Sequence, residues 1–231
     1  MIVGERKPFE EIKEAIQGYK KVLVLGCGTC VAVCMAGGEK EVELLASELR
    51  MANRLDGKDI EIKEATIQRQ CDAEYIEPIV EMARECDAVL SMACGAGVQF
   101  VANMVEPIPV IPALNTRFIG VNQAEGVWSE RCRACGDCVL GDYGGICPMT
   151  MCPKSLVNGP CGGSKDGKCE TSSERDCAWI LIFDRLRKQN KLDTIRDMPI
   201  RLKNYRAQTH PARQVNEAYV KPEMTAAHGK K

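Results

Sequence analysis

Fourteen cysteines in a chain of 231 residues constrain this sequence more than any other feature. The opening stretch "MIVGERKPFEEIKEAI" lacks an apolar signal core, and no segment approaches the roughly 18 uninterrupted apolar residues of a membrane span. A cytoplasmic chain without membrane insertion is therefore expected, and cytosolic thiols are normally kept reduced. So many cysteines then read as ligands of metals or clusters rather than as disulfides.

The first half of the chain alternates strand and helix signals. Residues 5–19 place Phe9, Ile12, Ile16 and Tyr19 at helical spacing, "KVLVLG" (21–26) reads as a buried strand, and residues 39–54 return to helical periodicity through Val42, Leu45 and Leu49. Strand 60–67, helix 73–86, strand 87–93, helix 98–105 and strand 108–114 continue the pattern. Such alternation predicts a mostly parallel sheet covered on both faces. The fold class expected is α/β: a Rossmann-like domain over residues 1–125, a small cysteine-rich, cluster-stabilised domain over 126–189, and an extended tail over 190–231.

In an open parallel sheet, ligands sit beyond the carboxyl ends of the strands. Cys27 follows the first strand, Cys71 the second and Cys94 the third, while Cys30 and Cys34 join from the turn after strand one. Five thiols thus converge on one edge, and Gly26, Gly28, Gly95 and Gly97 would let a bulky ligand approach the backbone. A four-iron cluster needs four thiolates around a cube, which a C-x2-C-x3-C run plus a remote cysteine can supply. Cys86, at a helix end, lacks such company and is expected in the core. A dinucleotide site fits poorly, because the third glycine of G-x-G-x-x-G would fall at Val31 and no clear acidic residue ends the second strand.

From Trp128 onward, eight cysteines (Cys132, Cys135, Cys138, Cys147, Cys152, Cys161, Cys169 and Cys177) stand among glycines and prolines. So few apolar residues predict a segment held by inorganic crosslinks rather than by a core. "CRACGDC" is half of a ferredoxin-type signature, and both Cys147-Pro148 and Cys152-Pro153 carry the expected proline. Eight residues, not three, separate Cys138 from Cys147. Eight thiols suit two four-iron clusters, or one cluster and one four-cysteine zinc site.

Residues 178–189 read as a helix with Trp179, Ile182, Phe183 and Leu186 on one face. The basic, irregular stretch after it suits an arm that orders against a partner, or a solvated tail. No nucleic-acid module accompanies it, and the formal net charge of −1 gives no general attraction to polyanions. Histidine occurs only at 210 and 228, and no carboxylate pair or Ser/His/Asp grouping suggests acid–base machinery. No catalytic residue is assigned; a cluster-loaded chain of this kind reads as an electron carrier.

"GCGTCVAVCMAGGEKEV", "SMACGAGVQ" and "GICPMTMCPKSLVNGPCGG" closely resemble the MetV-type small subunit of bacterial methylenetetrahydrofolate reductase, of the acetogen type, over residues 3 to 215. The resemblance implies a role in one-carbon metabolism through the Wood-Ljungdahl pathway. It implies a MetF-type flavoprotein TIM-barrel partner whose FMN, absent from this chain, reduces 5,10-methylenetetrahydrofolate to the 5-methyl form. This chain would supply the electrons through two or three [4Fe-4S] clusters, with zinc in place of one cluster as a variant; ferredoxin or a further electron-donating complex stands upstream. The thirteen cysteines other than Cys86 match that family's N- and C-terminal cysteine sets. A zinc-stabilised, non-redox adaptor that scaffolds the catalytic partner is the alternative.

Overall fold

The structure, a computed structural model, describes residues 1–208, 210–216, 218 and 219. Part of the 190–231 tail, at positions 209, 217 and 220–231, lies outside the described residues. The chain forms two compact units, Met1–Arg133 and Ala134–Lys231.

The first unit runs β1 (Ile2–Arg6), α1 (Phe9–Ile16), β2 (Lys21–Cys27), α2 (Cys30–Val33), α3 (Glu39–Leu55), β3 (Glu61–Ile67), α4 (Ala73–Ile76), α5 (Val80–Arg84), β4 (Ala88–Met92), α6 (Gly95–Val105), β5 (Val110–Pro112), β6 (Leu114–Ala124) and β7 (Val127–Cys132). Strands β3-β2-β4-β5 form a four-stranded sheet in that order, parallel throughout. The two-residue period of β2 divides its side chains between the faces. Val22 and Val24 pack with Ile12 and Ile16 of α1 and with Val42, Leu45 and Leu49 of α3. On the other face, Leu23 and Leu25 pack with Ile76, Ile79, Ala83, Val101 and Val105. Each fully buried Val or Leu here contributes about 1.5–3 kcal/mol, which is why the central strand reads as an unbroken apolar run.

The expected parallel sheet is present, but a second sheet was not foreseen. Strands β1, β6 and β7 form an antiparallel sheet in the order β1-β6-β7, with Ile2 opposite Ile119 and Arg6 opposite Leu114. Residues 5 and 6, expected at the start of a helix, lie in β1, and the helix begins only at Phe9 after Pro8. The helix expected over 73–86 is broken by a 3-10 turn at Glu77–Ile79 that carries Pro78, as a proline inside a helix requires. Cys86 is buried, and its thiol donates to the Met82 carbonyl at 3.4 Å.

The second unit contains α7 (Pro148–Met151), β8 (Lys168–Cys169), β9 (Ser172–Asp176), α8 (Ala178–Lys188) and α9 (Asp193–Arg196). Contrary to expectation it has a small apolar core: Val139, Tyr143, Cys177, Trp179, Ile182 and Leu186 are buried together. The missing apolar surface comes from α8, whose inner face reaches back over the cysteine-rich loops. Tyr143 and Trp179 meet edge to face, with centroids 5.5 Å apart, a favoured aromatic geometry. Their polar tips also staple the adjoining loop: Tyr143 donates to the Val157 carbonyl at 2.7 Å and the Trp179 indole to Leu156 at 3.0 Å. Phe183, expected on the buried face, is 48% exposed and lies beneath the Arg187 guanidinium instead.

Candidate functional site

The strand order places β2 and β4 side by side. Their connections leave toward opposite edges of the sheet, so a crevice opens between their carboxyl ends. Cys27 ends β2 and Cys94 precedes α6, one on each side of that crevice. Cys30 opens α2, and Cys71 lies in the loop after β3. Partial desolvation, and then the proximity of Cys94, Cys27 and Cys30, hold the Cys71 thiol above the ordinary thiol range. Four sulfurs from three loops therefore share one locale.

Packing accounts for part of the glycine pattern. A Cβ at Gly26 would lie 2.5 Å from the Thr66 hydroxyl, and one at Gly97 would lie 2.9 Å from Ala93 and Gln70. A Cβ at Gly28 or Gly95 would meet no protein atom closer than 3.5 Å, so packing does not account for these two glycines. The Gly95 N–H at the start of α6 donates to the Thr116 hydroxyl at 2.8 Å, so β6 of the unforeseen sheet supports the Cys94 corner. A helix start of this kind favours negative charge, as thiolates carry.

Cys34 is directed elsewhere. It is buried, accepts from the Gly4 N–H at 3.4 Å, and its thiol contacts the Gly4 and Val31 carbonyls at 3.5 and 3.4 Å. Burial pushes this thiol up, which keeps it protonated and suits a hydrogen-bonded packing group.

One residue of the site had no sequence signal. Gln70, fully buried, donates to the Leu25 carbonyl at 2.8 Å and accepts from the Ser91 hydroxyl at 2.6 Å. It ties the Cys71 loop to β2 and β4, and only the assembled sheet reveals its partners. Gln70→Leu should cost about 2–3 kcal/mol by leaving two buried groups unpaired. Urea denaturation checks this, and an unchanged midpoint would remove Gln70 as the anchor of the loop.

In the second unit, Cys152, Cys161, Cys169 and Cys177 line one cavity together with Lys154, Glu170 and Trp179. Its volume of about 20 Å³ is room for one ion or one water. Cys169 is held below the usual thiol range by hydrogen bonds to Thr171. The other expected ligands lie outside this cavity: Cys132 ends β7, Cys138 is exposed, and Cys147 precedes α7. Hydrogen bonding to the Asp137 backbone, and then the Lys203 ammonium, hold Cys135 below the usual range. None of the fourteen cysteines is in a disulfide. Among the described residues no three metal-ligating side chains stand within reach of one ion, which holds for the crevice thiols of the first unit as for the four around this cavity. Among the same residues no helix is long and apolar enough to cross a membrane.

No curated protein matches the chain. Residues 111–206, a span that enters in β5 and runs past Lys203, match the family model described as methylene-tetrahydrofolate reductase C terminal, and the similarity covers that part of the chain.

Proposed function

We propose that this chain is the electron-transferring iron–sulfur subunit of a methylenetetrahydrofolate reductase. It would pass electrons to the FMN of a MetF-type flavoprotein that reduces 5,10-methylenetetrahydrofolate to 5-methyltetrahydrofolate. The observation that supports this reading is the placement of Cys27, Cys71 and Cys94 after the carboxyl ends of parallel strands, with Cys30 opening α2, the edge where such a sheet takes its ligands; four thiolates there would suit a four-iron cluster. When bound, such a group supplies one-electron chemistry at a potential tuned by charge, burial and hydrogen bonds to sulfur. The chain's own residues would hold it: Cys27 from a buried strand end, Cys94 from a helix start, and Cys71 from a loop fixed by Gln70. Cys34 stands outside this set. Among the described residues histidine is represented only by the exposed His210, in keeping with substrate chemistry on another subunit.

A second metal type is favoured at the other cavity. A space of about 20 Å³ lined by four thiols suits a single tetrahedral zinc better than a cube of iron and sulfide. Cys135 and Cys138, both in the second unit, keep the spacing of ligands to a further cluster.

Iron, acid-labile sulfide and zinc per chain, measured on protein purified without oxygen and combined with EPR after reduction, test the proposal. About four irons and four sulfides per cluster are expected, with one zinc. Colourless protein carrying zinc alone would overturn electron transfer and leave the zinc-stabilised adaptor.

A further inference from the structure

An open cavity of about 420 Å³ is lined by residues of β1, β6, β7 and the turn after α2, all within the first unit. Its volume lies in the range of small-molecule sites. Several departures from regular structure meet there, and the proposed electron transfer uses none of them. In a regular strand Arg117 and Phe118 would face opposite sides of the sheet. Here the register slips by one residue, with Val3 opposite Phe118 and Gly4 opposite Thr116. Arg117 is left without a residue opposite it and lines the same cavity as Phe118, the re-aiming that a bulge produces. Arg6, on the same cavity, donates to Glu48 through one terminal nitrogen at 2.9 Å, and the Arg117 Nε lies 3.4 Å from the Glu5 carboxylate. Among the described residues the other guanidinium nitrogens of both meet no acceptor. Trp128 forms another wall, and its indole N–H is sealed from solvent with no acceptor among the described residues, a state that costs free energy until an acceptor arrives. Met35, 53% exposed, completes the lining in the left-handed conformation at φ +53°, uncommon for a residue other than glycine. The open edge of a sheet normally invites another strand. At edge strand β1, however, the Cys34 sulfur already meets the Gly4 N–H and carbonyl, at 3.4 and 3.5 Å, which leaves the cavity to a small molecule.

We propose that this cavity binds a flat aromatic carboxylate. The ring would lie against Phe118 and Trp128, whose faces and edges favour aromatic contact. The carboxylate would be held by Arg117 and Arg6, since a guanidinium fork matches the two oxygens of such a group. A ligand oxygen would also accept from the Trp128 N–H and remove its unmet state. Glu5 and Glu48 each engage a single nitrogen of their arginine, so they orient the two forks without completing them. The inference is independent of bound iron: none of the crevice cysteines Cys27, Cys30, Cys71 and Cys94 lines this cavity.

Isothermal titration calorimetry on the full chain, purified without oxygen, tests this with three probes. Benzoate carries ring and charge, benzamide the ring without the charge, and acetate the charge without the ring. Benzoate should saturate a single site with a Kd below about 1 mM, benzamide should bind about tenfold more weakly, and acetate should give no saturable heat. Arg117→Gln should weaken benzoate about tenfold, the loss of one charge-assisted hydrogen bond, and leave benzamide unchanged. Trp128→Phe, which keeps a ring and removes the N–H, should weaken both about fivefold. Arg84→Gln removes an exposed cation of α5 outside the cavity and should change neither. The Arg117 side chain is 57% exposed, so its loss costs little packing, and this variant decides the matter even where Trp128→Phe folds poorly. Three results overturn the proposal: no saturable heat from benzoate up to about 10 mM, acetate binding as well as benzoate, which would make the site one for an adventitious ion only, or Arg117→Gln weakening benzoate no more than Arg84→Gln does.

Discussion

Gly37→Ala should destabilise the first unit by about 3 kcal/mol or more. A Cβ at this position would lie 2.0 Å from the Met92 carbonyl oxygen and 3.0 Å from its carbon, and a backbone group at the end of a central strand cannot swing aside as a side chain can. Met92 is the last residue of β4, two positions before Cys94, and the Gly37 carbonyl accepts from the Cys27 N–H at 2.8 Å. The added methyl therefore pushes apart the two strand ends that flank the crevice. On the proposed reading the variant loses bound iron as well as stability. Gly18→Ala, where nothing lies within 4 Å, is the matched control and should be neutral. Equal urea midpoints for the two variants would show that α3 can shift to admit the methyl.

On the proposed reading of the four-cysteine cavity as a zinc site, Cys161→Ser should abolish metal binding there and unfold much of the second unit. Cys161 is exposed, so its replacement costs little packing and isolates the ligand role; Cys152 and Cys177 are buried and would confuse the two. A structural metal held by four thiolates contributes on the order of 10 kcal/mol of folding free energy. That is comparable to the entire stability of a small domain, about 5–15 kcal/mol. The apolar core around Tyr143 and Ile182 is too small to compensate. Metal analysis should show one zinc fewer per chain, and trypsin should cut between residues 148 and 188 while the parallel-sheet unit survives. Full metal content together with full protease resistance would remove Cys161 from the ligand set.

The parallel sheet was legible because β2 and β4 are short apolar runs set between stretches of helical periodicity, a local signal. The antiparallel sheet was not. β1 is five residues long with a glycine at its centre, and its partner strand lies more than a hundred residues away, so nothing near Ile2 announces Leu114–Ala124. The same gap hid the placement of Cys34. Its C-x3-C spacing sets it one helical turn from Cys30, in apparent company with the crevice thiols, yet its hydrogen-bond partner Gly4 lies in the unforeseen β1. Cys27, Cys71 and Cys94 were located correctly at the strand ends because the topology of parallel sheets alone determines which edge those loops share. The inward row of Arg201 and Lys203 was hidden by a different cause: basic residues in an irregular tail look solvated until their acceptors, Asp142 and Asp137, are seen beside them.

The aromatic pair in the second unit has a use in following the molecule. The chain contains two tryptophans, and each unit holds one: Trp128 in β7, with an indole nitrogen that is buried without a partner, and Trp179 in the wall of the four-cysteine cavity. Two emitters, one per unit, make single-tryptophan chains a direct optical readout. In Trp128→Phe the remaining emission reports on the cysteine cavity, and in Trp179→Phe on the antiparallel sheet, so loading and melting of the two units can be timed separately without any attached dye.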